Sequence, residues 1–66
     1  MRVTVNGGDR ELPDGLRLVA LLEQLGLRPG TVVVEHNGAA LVRSELDGVV
    51  LADGDRLELV RAVAGG

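Results

Sequence analysis

Leu16-Arg17-Leu18-Val19-Ala20-Leu21-Leu22-Glu23-Gln24-Leu25 decides how this chain folds. Leu18, Leu21, Leu22 and Leu25 recur at the i, i+3, i+4, i+7 spacing of one helical face, while Arg17, Ala20, Glu23 and Gln24 fall elsewhere on the wheel. Gly26 provides the stop and Pro29-Gly30 forbids continuation. A leucine stripe at this spacing is core, so these residues are given no functional role.

Outward from this helix the apolar period changes to that of strands. Met1, Val3 and Val5 alternate with Arg2 and Thr4, the pattern of a half-buried strand. Asn6-Gly7-Gly8-Asp9 predicts a hairpin, because Asn and Gly accept positive φ, and Arg10 to Leu12 is the returning strand. Pro13-Asp14-Gly15 then turns the chain. Beyond the helix, Thr31 to His36 reads as a strand with Val32 and Val34 facing the helix. Asn37-Gly38 is a second turn, and Ala40-Leu41-Val42 a short strand. Ser44-Glu45-Leu46-Asp47 predicts an irregular or 3₁₀ turn that Ser44 initiates with Glu45. Val49-Val50-Leu51 plugs one end of the core, and Asp53-Gly54-Asp55 is a tight turn. Arg56 to Arg61 is the last strand, with Leu57 and Leu59 inward and Arg56, Glu58 and Val60 outward.

One helix among several strands in so short a chain packs as one sheet on one helix. The first and last strands pair in parallel at the sheet centre, with the helix in the crossover. The expected fold is α+β, a β-grasp of the ubiquitin-like kind. It has a mixed sheet of about four to five strands, forms one domain over 1–66, and carries a Gly-Gly tail over 62–66.

Composition narrows the chemistry. The chain has 66 residues, 45% of them hydrophobic, and no Cys, Phe, Trp or Tyr. Disulfides, thiolate metal sites and thiol nucleophiles are thereby excluded, and the core is aliphatic. A net charge of −3 argues against nucleic acid or an anionic membrane as partner and suits a basic groove on a protein. All seven basic residues are Arg, so no lysine amine is offered for isopeptide attachment to this chain. No apolar run approaches the length that spans a bilayer, and Met1-Arg2-Val3-Thr4-Val5-Asn6 lacks a signal-peptide core, so a cytoplasmic location is expected.

Few residues offer catalysis. His36 is the sole histidine and reads as an ordinary strand residue. Asp53 and Asp55 flank Gly54 as turn chemistry rather than a hydrolase dyad or cation site. Gly7-Gly8 lacks the following helix of a phosphate-binding loop. No catalytic residue, metal ligand or bound cofactor is assigned. What remains is the Gly66 carboxylate at the end of Arg61-Ala62-Val63-Ala64-Gly65-Gly66. Residues without side chains bring no apolar surface to a core, but they enter narrow channels. Adenylation with ATP gives such a carboxylate a leaving group. A sulfur donor then yields a terminal thiocarboxylate, or an amine yields an amide.

The turn Asn37-Gly38, the segment Arg43-Ser44-Glu45 and above all the stretch from Asp53 through Arg61 to Gly65-Gly66 resemble the ThiS family of sulfur carriers in thiamine biosynthesis, over the whole length. The chain departs from many members at Val42, where they carry Pro, and at Leu46, where they carry an aromatic residue. The resemblance implies that Gly66 is adenylated by a ubiquitin-activating-like adenylyltransferase that uses ATP. It further implies thiocarboxylation with cysteine-derived sulfur from a cysteine desulfurase or equivalent, and sulfur delivery to thiazole synthase. The domain would be a carrier, not an enzyme. Gly65, Ala64, Val63 and Ala62 would lie extended in the partner's channel. Arg61, Val60 and Leu41 would serve docking, with Val60 beside Leu41 or Val42 in a small apolar patch. Rival readings are a carrier for another client (molybdopterin, cysteine or secondary-metabolite synthesis), a ubiquitin-like modifier, and a β-grasp binding module with an inert tail.

Overall fold

Five strands, β1 (Arg2–Val5), β2 (Gly8–Glu11), β3 (Val32–His36), β4 (Ala39–Leu41) and β5 (Arg56–Arg61), form one sheet in the order β2-β1-β5-β3-β4. The computed structural model describes residues 1–62. The expected β-grasp is borne out. β1 and β5 pair in parallel, with Thr4 opposite Arg56 and Val5 opposite Leu57, and the other three pairings are antiparallel. The last of the five strands in sequence order is therefore central in the sheet.

Both hairpins turn where the sequence places them. Asn6 and Gly7 have φ of 50° and 83°, Asn37 and Gly38 of 52° and 86°. Two successive positive φ values match the turn's twist to that of the flanking strands. The connection into β5 is tied to β1: Arg2 N–H donates to Asp53 Oδ1 at 2.7 Å, and Gly54 N–H to the Arg2 carbonyl at 2.8 Å.

Helix α1 (Leu18–Gln24) covers one face of the sheet and buries Leu18, Leu21 and Leu22 completely. It ends as the sequence predicts. Gly26 takes φ of 73°, its N–H bonds the Glu23 carbonyl at 3.0 Å, and Leu27 N–H reaches the Leu22 carbonyl at 2.8 Å. This pair of bonds is a Schellman closure, which satisfies carbonyls that the helix end leaves free. Val3, Val5, Val32, Val34, Leu57 and Leu59 meet the helix from the sheet. Burying a leucine or valine side chain contributes about 1.5–3 kcal/mol.

Two local expectations need correction. In Val49-Val50-Leu51 only Leu51 is a buried plug; Val50 stays 55% exposed because its backbone bridges Arg17 and turns its side chain outward. The 3₁₀ turn Arg43–Gly48 is fastened by Glu45, whose Oε1 accepts from Val42 N–H at 2.8 Å, rather than by Ser44.

Candidate functional site

The site suggested by the sequence is the exit from β5, and the fold explains why that exit is firmly held. On one side β5 pairs with β3 as far as Val32 opposite Arg61, and Ala62 N–H adds a bond to the Thr31 carbonyl at 2.8 Å. On the other side β1 ends at Val5, and the Asn6 side chain continues its work. Asn6 Oδ1 accepts from Leu59 N–H at 2.7 Å, and Asn6 Nδ2 donates to the Leu59 carbonyl at 3.1 Å. An amide side chain thus stands in for one residue of strand. The chain leaves the sheet at Ala62 with a paired backbone up to that point.

The opposite end of β5 is held by a second asparagine and a small polar cluster. Asn37 Oδ1 accepts from Arg56 N–H at 2.8 Å, and Asn37 Nδ2 donates to Asp55 Oδ1 at 3.1 Å. Asp55 Oδ2 lies 2.9 Å from His36 Nε2 and accepts from Ala52 N–H at 2.8 Å. Burial pushes the Asp55 carboxyl up. The bonds from His36, Ala52 N–H and Asn37, with the His36 charge, outweigh it and hold the group below its ordinary value. Asp55 is the one buried charged residue among those described. Sequence reading took it as plain turn chemistry and His36 as plain strand, because their contact links residues 19 apart and no local pattern shows it. Both are framework for the start of β5. Among the described residues no group of three or more His, Cys, Asp or Glu is placed to hold a metal ion.

The residues expected at the docking surface fall on two faces. Val60 points away from α1, 61% exposed, and its cross-strand neighbour is Val33, 50% exposed. Leu41 is the register partner of the buried Val34 and packs partly against the core, so it lies on the helix side. Leu41 and Val60 therefore do not share a patch, which corrects the Leu41 alternative of that expectation and leaves Val42. The sequence hid this because Ala40-Leu41-Val42 is apolar throughout and has no alternation to reveal its faces. Val42 is 61% exposed and stands one residue beyond Leu41, in the direction of Val33. Arg61 and Ala62 are exposed at the exit itself. Val63, Ala64, Gly65 and Gly66 lie outside the described residues.

The sequence model of the ThiS family matches residues 3–66, which takes in the strands, the helix and the tail. The chain belongs to the ThiS family. The crystal structure of the thiamine biosynthesis protein ThiS from Geobacter metallireducens superposes with a TM-score of 0.83 at 33% identity, covering all of both chains. The solution NMR structure of a thiamine biosynthesis protein from the same organism gives 0.80 at 33% identity, covering all of this chain and 88% of that one. The thiazole synthase of Paramagnetospirillum magneticum is 35% identical over 66 residues. That match takes in the whole of this ThiS-family chain, which spans only 20% of that relative's length. No helix among the described residues is long and apolar enough to cross a membrane.

Proposed function

We propose that this chain is a sulfur carrier for thiamine biosynthesis, and that the Gly66 carboxylate is the group that carries the sulfur. The single observation behind this reading is that family membership runs to residue 66, so that it takes in the Gly65-Gly66 tail as well as the fold. The likeness to ThiS proteins of thiamine biosynthesis and to a thiazole synthase supports the same pathway.

The chemistry follows from the carboxylate. Its negative charge repels nucleophiles, so it must first be activated. A carboxylate oxygen of Gly66 attacks the α-phosphorus of ATP, pyrophosphate leaves, and an acyl-adenylate results. A protein persulfide, formed from cysteine by a desulfurase or equivalent, adds through its terminal sulfur to the acyl carbon. AMP departs with its electron pair to leave an acyl disulfide, and a thiol reduces the S–S bond, itself becoming a disulfide, so that the terminal thiocarboxylate remains. Thiazole synthase then takes the sulfur. The partner adenylyltransferase supplies the ATP site; the carrier supplies a slim end on a rigid base. A Cβ at Gly65 or Gly66 would widen the end that must enter the partner's channel. The clamp that Asn6 and Thr31 place on the last residues of β5 fixes where that end starts.

Intact-mass measurement tests the reading. The full chain is incubated with ATP, the adenylyltransferase and a cysteine-derived sulfur source. The expected result is a mass gain equal to replacing one oxygen by sulfur, absent in a chain that lacks Gly66. No gain with an adenylyltransferase of demonstrated activity on another carrier overturns it, and higher-mass conjugates on a denaturing gel would favour a protein modifier instead.

A further inference from the structure

Two Asn-Gly dipeptides sit in the hairpin turns, Asn6-Gly7 and Asn37-Gly38. In such a pair the glycine main-chain nitrogen is an unhindered nucleophile close to the amide carbon that precedes it, and the two can close a five-membered ring. The surroundings of the two pairs differ. Both amide heteroatoms of Asn6 grip Leu59 in the central strand, and Thr4 Oγ1 donates to Asp9 Oδ1 at 3.1 Å across the same hairpin. Asn37 Nδ2 lies 3.4 Å from His36 Nε2 and 3.1 Å from Asp55 Oδ1, and His36 Nε2 lies 2.9 Å from Asp55 Oδ2. The amide nitrogen of Asn37 is thus next to an imidazole that a carboxylate orients. Gly38 N–H has no main-chain partner among the described residues, and nothing stands within 4 Å of where a Gly38 Cβ would be. Asn37 and Gly38 line a depression of about 360 Å³ with Glu35, Arg56 and Glu58, which admits water to the turn.

We propose that Asn37-Gly38 is a self-modification site, where the Asn37 amide is converted to a carboxylate with His36 as general acid. Gly38 nitrogen loses its proton to water and attacks Asn37 Cγ. The amide nitrogen takes a proton from His36, an imidazole being suited to proton transfer near neutral pH. The bond from Cγ to that nitrogen then breaks, ammonia leaves with the electron pair, and a succinimide remains. His36 recovers its proton from water. One further water opens the ring at either carbonyl and gives aspartate or isoaspartate. In balance, one amide and one water yield one carboxylic acid and one ammonia, with no oxidant or reductant. Ring closure requires the turn to open briefly, because the amide must leave Arg56 N–H and Asp55. Opening is cheap at this hairpin. β4 is three residues long, lies at the edge of the sheet and has no fully buried side chain. The Asn6 turn instead follows β1, which is paired on both sides. The product alters the fold. An aspartate places a second carboxylate where an amide nitrogen now lies 3.1 Å from Asp55 Oδ1. Isoaspartate lengthens the main chain of the turn by one methylene and shifts β4 against β3.

Peptide mapping by mass spectrometry, on the full folded chain held at neutral pH, tests the inference. The expected result is a mass gain equal to replacing NH2 by OH on the peptide that holds Asn37, well ahead of the peptide that holds Asn6. Aspartate and isoaspartate forms should both be present. The urea-unfolded chain is followed in parallel, as the measure of conversion without the fold. His36→Gln keeps a donor for Asp55 but removes the acid, and is expected to slow conversion at Asn37 by roughly tenfold or more. Free imidazole should raise the rate of that variant more than the rate of the wild type. A histidine that only braced the turn would give the opposite sign, because its loss would let the turn open more often. Equal rates at Asn37 and Asn6 in the folded chain overturn the inference. So does an Asn37 that stays intact while the unfolded chain converts, or a rate in His36→Gln equal to or above that of the wild type.

Discussion

At the scale of single residues, three polar side chains do most to fix β5. Asn6 satisfies both main-chain groups of Leu59, and its backbone holds φ of 50°. Asn6→Ala removes two hydrogen bonds and strains the turn, and is expected to cost about 2–3 kcal/mol. Asn6→Gly relieves the strain but not the lost bonds, so it should fall between the two in urea denaturation. Equal stability of the Gly variant and the wild type would show that the side-chain bonds contribute nothing. Asp55 offers a pH test. Its two oxygens accept from Asn37, His36 and Ala52. An asparagine there turns one acceptor into a donor facing another donor, a loss of about 1–3 kcal/mol at neutral pH. Because the folded carboxyl titrates below the ordinary value of 3.8, its contribution is complete above that value and fades as pH falls through the folded one. The stability gap between wild type and Asp55→Asn should therefore be widest near neutrality and close in acid. A gap that stays constant down to the acid transition would deny Asp55 this role.

At the scale of elements, the sequence was legible wherever one face alone is buried or a turn needs positive φ. The leucine stripe of α1, the two Asn-Gly turns, and the inward Leu57 and Leu59 were all readable from period and turn chemistry. What stayed hidden depends on register between strands distant in sequence: the facing of Val33 and Val60, the face occupied by Leu41, and the His36–Asp55 contact. No turn joins β3 to β5, so no local signal counts out their alignment. Glycine positions separate the two kinds of information. Gly26 closes α1 at φ of 73°, with open space where a Cβ would stand. Gly26→Ala should therefore lose about 1–2 kcal/mol from backbone strain alone. Gly48, with neither positive φ nor a close neighbour, should accept alanine with no loss, and with a gain of about 0.4–1 kcal/mol if its backbone suits alanine. Thermal melts should lower the midpoint for Gly26→Ala and leave that of Gly48→Ala at or above the wild type if conformation rather than packing governs both sites. A large loss at Gly48 would refute that account.

At the scale of the whole molecule, the topology divides stability from chemistry. The central strand belongs to the core through Leu57 and Leu59, both nearly inaccessible to solvent, and among the described residues every core residue lies at or before Leu59. The last main-chain tie among the described residues is Ala62 N–H to the Thr31 carbonyl. Removing Gly65-Gly66 deletes no apolar side chain and no described hydrogen bond. The shortened chain should unfold within about 0.5 kcal/mol of the wild type, as substitutions away from core, caps and networks do. Leu22→Ala, in contrast, opens the fully buried layer between helix and sheet and should cost about 2–5 kcal/mol. The carrier chemistry proposed for Gly66 orders the two variants in reverse. The truncated chain keeps its fold and accepts no sulfur, whereas Leu22→Ala, assayed well below its lowered melting temperature, still does. Urea denaturation and intact-mass analysis on the same preparations measure both properties. If truncation unfolds the domain, or if sulfur transfer survives it, the separation of a stable base from a reactive end does not hold for this chain.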